Sequence, residues 1–262
     1  MALNEKIIKE KAAQLQKCSK EKITINPLSN DLKGITIEDA YKIQLAQVRN
    51  KKMNGEIVIG KKIGLTSKSM QNILGIDEPD YGHLFDTMII NGNNKIDLES
   101  LIQPKCEPEI AFVLSKKLKG PGVTVSDVLS STRGVLPAIE IIDSRIKDWN
   151  LKIQDTIADN ASSSMFVLGN NLIPLENINL QLTGLVLRKN GEIIKTATSA
   201  EVMGNPAEAV AWLANKLAEF DVALEKDEII LSGSLTRAYE VNEGDNYCAI
   251  FDRIGSVNLV FN

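Results

Sequence analysis

"CEPEIAF", residues 106–112, sets two carboxylates, Glu107 and Glu109, one residue apart in a run that otherwise reads as buried. Side chains alternate faces along a strand, so Glu107, Glu109 and Ala111 share one side while Pro108, Ile110 and Phe112 share the other. A third carboxylate, Glu140, lies in "VLPAIEIIDSR", a second apolar run with strand character, between Ile139 and Ile141. Two readings are open. On a half-exposed strand, Glu107 and Glu109 face solvent and pair with lysines such as Lys105 or Lys116. On a buried strand, like charges held close raise each other's pKa and are costly unless something positive compensates. A divalent cation supplies that compensation. Three carboxylates with no thiol or imidazole favour a hard ion, Mg²⁺ or Mn²⁺, with positions left for water or substrate.

From about Glu107 onward the chain reads as strands and turns: "EIAFVL", "VLPAIEIID", "SMFVLG", "LTGLVLRKNGEII", "DEIILSGS", "NYCAIF" and "GSVNLVF". Asn190-Gly191 between two such runs signals a hairpin. One helix interrupts them, "NPAEAVAWLANKLAEF", with Asn205 as cap, Pro206 in the first turn and a buried stripe of Val210, Leu213, Leu217 and Phe220. Upstream, "EKIIKEKAAQLQK" and "TIEDAYKIQLAQVRNKK" read as helices, the second opening with Thr36 and Asp39 in capping-box spacing. Ile37, Tyr41, Leu45 and Val48 make its apolar face. "TSKSMQNILG" is a short helix with a hydroxyl cap, Met70, Ile73 and Leu74 at helical spacing, and Gly75 as its stop. The expected fold is therefore α+β, a helical N-terminal region over residues 1–55 on a β-rich core over 56–262, forming one continuous unit.

Composition narrows the function. Hydrophobic residues at 44% and charged residues at 24% fit a folded globular chain of 262 residues with a sizeable core. Thirty Lys and Arg against 34 Asp and Glu give a formal charge of −4 without long blocks of either sign, which argues against nucleic acid and anionic membranes as partners. Cys18, Cys106 and Cys248 are widely spaced and lack metal-site spacing, which points to reduced thiols and a cytoplasmic protein and away from zinc. The charged N-terminus has no signal-peptide core, and no run of about 18 apolar residues occurs.

The segments "GKKIGLTSKSMQ", "DEPDYGHLFDTM", "PKCEPEIAFVL", "LPAIEIIDSRIKDW", "DTIADNASS" and "IILSGSLT", in this order, resemble the 2-keto-4-pentenoate hydratase and 4-oxalocrotonate decarboxylase family, within the fumarylacetoacetate hydrolase superfamily. The resemblance implies a mixed, β-rich catalytic core like that of fumarylacetoacetate hydrolase, a Mg²⁺ or Mn²⁺ site and homo-oligomeric assembly, with association to a related decarboxylase or hydratase. It places the metal ligands on Glu107, Glu109 and Glu140, and the active-site lysine on Lys62 rather than Lys61. Asp80 and Leu84 fall in a lid-like "PDYGHLF" segment. Ser162, Ser234 and Thr236 fall around the substrate. Asp143, Arg145 and Asp159 either orient the ligands from behind or hold a structural ion pair.

The chemistry implied is metal-assisted hydration of 2-hydroxypenta-2,4-dienoate, a small acid carrying a carboxylate beside an enol oxygen. Decarboxylation of 4-oxalocrotonate, or hydration of a longer 2-oxo-enedioate, is the alternative; a diacid needs a second cation, for which Arg237 and Lys61 are candidates. Lys62 is expected to bind substrate or to change protonation near neutral pH through a lowered pKa, and Asp80 to handle protons or water. His83, the single histidine, reads as a packing residue.

Overall fold

The computed structural model describes residues 3–91 and 94–262, and the side chains of Met70, Ile73 and Leu74 lie outside the described ones. The helical part comprises α1 (Glu5–Glu21), α2 (Leu28–Asp31) and α3 (Ile37–Met53). There follow β1 (Val58–Gly64), α4 (Lys68–Leu74), β2 (Asp80–Phe85), β3 (Lys95–Ile96), β4 (Pro104–Leu114), α5 (Val125–Ser131) and β5 (Thr132–Asp143). The chain continues through α6 (Ile153–Ala158), β6 (Ser163–Leu168), β7 (Gly184–Lys189), β8 (Glu192–Thr198) and α7 (Pro206–Ala218). It closes with β9 (Ile229–Ser234), β10 (Tyr239–Glu240), β11 (Asn246–Phe251) and β12 (Gly255–Phe261).

Among the described residues the strands form two sheets. The larger has the order β2-β1-β9-β4-β5-β6 with β10 added to β4, and the smaller runs β3-β12-β11-β7-β8. Asn190 and Gly191, at φ 53° and 88°, make the β7–β8 hairpin turn that their sequence predicts. Asn205 caps α7 by accepting from Ala207 N, and α7 packs on β9 and β1. The smaller sheet packs on β5 and β6.

Alternation divides the larger sheet cleanly. Ile110, Phe112, Ile139, Ile141 and Ile230 point into the main core shared with the helices and the smaller sheet. The opposite face carries Leu84, Ala111, Leu136, Ala138, Phe166 and Leu231, a second apolar cluster. Glu107, Glu109, Glu140, Lys62 and Asp80 lie on this second face, at its other end.

The Thr36–Asp39 capping box forms, with Asp39 N donating to Thr36 Oγ1 at 3.0 Å and Thr36 N to Asp39 Oδ2 at 3.3 Å. The buried face of α3 is wider than the expected stripe. Ile37 and Leu45 are half-buried, while Gln44 and Gln47 are buried. The cause is tertiary: α1 covers one side and α6 another. Gln44 Nε2 donates to the carbonyls of Tyr81 and Ile157 at 2.8 and 2.9 Å, and Gln47 Nε2 to that of Ala158 at 2.6 Å. These bonds satisfy buried carbonyl groups and tie the helical region to the core.

One expectation is corrected outright. "PDYGHLF" is no lid: Asp80 to Phe85 are buried throughout and form β2, paired antiparallel with β1. The resemblance implied a lid-like segment, but the ladder to β1 and the packing of α6 and Gln44 of α3 on β2 make it a strand.

Candidate functional site

Glu107 and Glu109 project from the same face of β4, and register sets Glu140 of β5 directly opposite Glu107. One carboxylate oxygen from each of the three lies within 4.8 Å of the others. Glu109 and Glu140 are fully buried and Glu107 is half-buried, so the solvent-facing reading of the pair does not apply. Neither oxygen of Glu140 has an aligned hydrogen-bond donor among the described residues. Glu109 Oε2 accepts from Gly233 N at 2.7 Å. Gly233 sits at φ +113°, where a Cβ would strike the Thr66 side chain at 2.4 Å, so the approach requires glycine.

Burial pushes all three carboxyls up. Glu107 rises to about 7, with Glu140 and Asp80 adding to burial and Lys62 opposing it. Glu109 rises well above its ordinary value through burial and Glu140. Glu140 rises through burial, partly offset by Lys62. A trio of hard oxygen donors, one from each carboxylate, suits a hard divalent cation and would bring the three groups back to the ionised form.

Lys62 Nζ stands 3.3 Å from Glu140 Oε2. In a flat sheet β1 and β5 would be three strand spacings apart, about 14 Å. The contact therefore records the curl of the sheet, which carries β1 over the carboxylates. Burial alone would lower the Lys62 ammonium, but Glu140, Asp80, Glu107 and Glu109 together push it up. In the metal-free chain the surrounding carboxylates thus outweigh desolvation, whereas the lowering expected from the sequence depends on a cation held beside the lysine. The adjacent Lys61 points to the other face and pairs with Glu228 at 2.6 Å, which removes it as a partner for a second substrate carboxylate.

Asp80 begins β2 opposite Gly64. Burial raises its carboxyl, opposed by Lys62, by Thr156, whose Oγ1 donates to Oδ2 at 2.8 Å, and by the nearby Asp80 and Gly64 amides. Oδ1 has no aligned donor among the described residues.

A cavity of about 270 Å³ opens above these groups. Lys62, Asp80, Glu107, Ser162, Ser234, Thr236 and Arg237 line it, as do the apolar side chains of Ile142, Leu151 and Ile153. Leu84 is outside it. It shares the face of Asp80 but lies four residues further along β2, in the apolar cluster with Phe85 and Phe166. His83 also lies elsewhere, buried, with Nδ1 3.1 Å from Gln44 Oε1.

The residues assigned behind the ligands divide. Asp143 accepts from the amides of Ile102 and Gln103 and anchors the approach to β4. Asp159 accepts from Arg145 Nε at 2.5 Å and from Ser162 Oγ at 3.1 Å, and so holds a cavity residue. Asn160, Ala161 and Ser162 all have left-handed backbones, at φ 56°, 51° and 52°. Such positions cost on the order of 1–3 kcal/mol each. The Asn160 side chain secures them by bonding both the N–H and the carbonyl of His83, at 2.8 and 2.9 Å.

Sequence reasoning missed Thr156, Gly64 and Gly233 as parts of the site. All three stand inside the motifs that flagged it, "DTIADNASS", "KIGLTS" and "SGSLT", but their roles depend on which atoms they meet across the fold. Lys105, Trp149 and Lys152 also line the cavity, with Lys105 Nζ over the Trp149 ring at 4.8 Å.

A family model for fumarylacetoacetate (FAA) hydrolase C-terminal matches residues 76–261. The chain is 45% identical over 222 residues to a 2-hydroxypent-2,4-dienoate hydratase of Pseudomonas putida, covering 84% of this chain and 100% of that one. It is 41% identical over 260 residues to a 2-hydroxyhexa-2,4-dienoate hydratase of Comamonas testosteroni, 98% of each chain. Among solved structures, 4-oxalocrotonate decarboxylase from Pseudomonas putida G7, complexed with magnesium and adipate, matches with a TM-score of 0.97 at 34% identity, over 100% of this chain and 99% of that one. The chain belongs to the fumarylacetoacetate hydrolase family.

Proposed function

We propose that this protein is a divalent-metal-dependent hydratase that adds water to 2-hydroxypenta-2,4-dienoate, giving 4-hydroxy-2-oxopentanoate in the catabolism of aromatic compounds. The observation that carries the reading is the carboxylate trio Glu107, Glu109 and Glu140, of which Glu107 lines a small cavity together with Lys62 and Asp80. The hydratase relatives support the substrate class.

In this reading Glu107, Glu109 and Glu140 hold Mg²⁺ or Mn²⁺. A divalent cation in that position supplies Lewis-acid stabilisation of negative charge on the substrate's 2-oxygen. The protein's own groups do the rest. Lys62, charged and aimed at the carboxylates, neutralises the substrate's carboxylate and orients it. The reaction needs a proton at C5, water at C4 and a proton at C3. Asp80, raised by burial and with one oxygen free of aligned donors, is placed to move a proton or to hold the attacking water. The hydroxyls of Ser162, Ser234 and Thr236 hydrogen-bond the substrate, and Ile142, Leu151 and Ile153 exclude bulk water. The enzyme works as a cytoplasmic homo-oligomer, in association with a related decarboxylase or hydratase.

A second reading, decarboxylation of 4-oxalocrotonate or hydration of a longer 2-oxo-enedioate, is supported by Arg237 on the cavity lining and by the likeness to the decarboxylase. An ultraviolet assay on freshly generated 2-hydroxypenta-2,4-dienoate with Mg²⁺, followed by product mass, separates the two. Gain of one water is expected. An untouched dienoate, with carbon dioxide released from 4-oxalocrotonate, overturns the hydratase reading in favour of the decarboxylase.

A further inference from the structure

The two oxygens of Asp80 have unlike surroundings. Oδ2 accepts the Thr156 hydroxyl at 2.8 Å, while Oδ1 lacks an aligned donor among the described residues. Gly64, facing Asp80 across the β1–β2 ladder, leaves the space that Oδ1 fills: a Cβ there would stand 2.2 Å from Oδ1 and 3.3 Å from Lys62 Nζ. Asp80, Thr156, Gly64 and Lys62 all line the cavity.

A carboxyl group turns easily about its last torsion, which is broad and two-fold. Lys62 attracts the Asp80 carboxylate, so an unrestrained Asp80 would swing toward the ammonium. The position of Thr156 is fixed independently of Asp80. Its neighbour Asp155 accepts from Ser29 N and Oγ at 2.9 and 2.7 Å, Gln44 and Gln47 bond the carbonyls of Ile157 and Ala158, and Ile157 is buried. Helix α6 is thereby held from both sides.

We propose that Thr156 is a positioning residue, whose hydroxyl pins one oxygen of Asp80 and so fixes the orientation of the carboxyl group at the cavity wall. The role given to Asp80 rests on the hydratase reading; the pinning itself does not. A residue of this kind acts through orientation, so its loss lowers turnover and leaves substrate binding largely unchanged.

The test compares wild type with Thr156→Val, which removes the hydroxyl at nearly constant shape, and Thr156→Ser, which keeps it. Kinetics on 2-hydroxypenta-2,4-dienoate with Mg²⁺ are measured alongside a crystal structure of each protein. In Thr156→Val, kcat is expected to fall about tenfold or more with KM within about twofold, and Asp80 to rotate. Thr156→Ser is expected to restore both turnover and the orientation. A raised KM at unchanged kcat would make Thr156 a substrate contact and overturn the proposal, as would an unmoved Asp80 in Thr156→Val. If wild type leaves the dienoate untouched, the hydratase reading fails and the crystal structures alone decide the pinning: a rotated Asp80 supports it and an unmoved one overturns it.

Discussion

Glu107 and Glu140 are direct partners across the antiparallel β4–β5 ladder. Sheets ordinarily place apolar or oppositely charged groups at such positions, and like charges there destabilise. Glu109 adds a third carboxylate two residues along, and Lys62 stands at ion-pair distance from the cluster. The arrangement is unfavourable for the bare fold and favourable for a fold that holds a cation.

Glu109→Gln should separate those two contributions. The amide oxygen can still accept from Gly233 N, so the backbone contact survives, while one buried charge disappears. The metal-free variant is expected to melt at or above the wild-type temperature. The melting shift on adding Mg²⁺ should nearly vanish and turnover should fall by about two orders of magnitude or more. Calorimetry and steady-state rates check each part.

The cation's stabilising effect should depend on pH. Glu107 titrates at about 7 in the metal-free fold, against an ordinary 4.5. Between those values the folded chain holds the extra proton, so this contribution to stability is complete below 4.5 and is lost as pH rises through 7. A cation binds the ionised carboxylates and acts in the opposite sense. Mg²⁺ is therefore expected to raise the melting temperature more at about pH 8 than at about pH 5.5. An equal shift at both would remove the carboxylates as ligands.

Gly64→Ala forces a Cβ to within 2.2 Å of Asp80 Oδ1. The side chain must turn or β1 must shift, at about 1–3 kcal/mol. Turnover should fall by about tenfold or more, because the displaced group lies at the cavity wall. Melting curves and rates measured together distinguish this from simple unfolding.

His83 should govern stability on the acid side. Burial, with Lys61 and Lys52 adding to it, pushes the imidazole down to about 3. Gln44 Nε2 is committed to two carbonyls, so its Oε1 accepts and the neutral ring donates from Nδ1. The unfolded chain binds a proton at about 6.5 and the folded chain does not until about 3, so stability falls as pH drops through that window. The slope from this residue is at most about 1.4 kcal/mol per pH unit. Denaturant melts of His83→Gln are expected to show a shallower loss between about pH 6 and 4.5.

Much of the site was legible because its signal is local. Alternation put Glu107 and Glu109 on one face, and two flanking isoleucines marked Glu140 as buried. What the sequence could not convey is long-range. The curl that carries Lys62 to Glu140 is a property of the assembled sheet, and so is the charge balance that holds that lysine protonated. The lid-like character that the resemblance gave "PDYGHLF" does not hold, because its pairing with β1 and the packing of α3 and α6 make it a buried strand. Leu84 then follows from β2: a strand residue four positions from Asp80 shares its face but sits among apolar side chains.

The central claim is that Glu107, Glu109 and Glu140 hold a divalent cation on which hydration depends. It is tested most directly by stripping the protein of metal and following the turnover of 2-hydroxypenta-2,4-dienoate before and after Mg²⁺ is restored. The account predicts negligible turnover in the stripped protein and recovery on addition, with 4-hydroxy-2-oxopentanoate as product. Full turnover by the metal-free protein would contradict it.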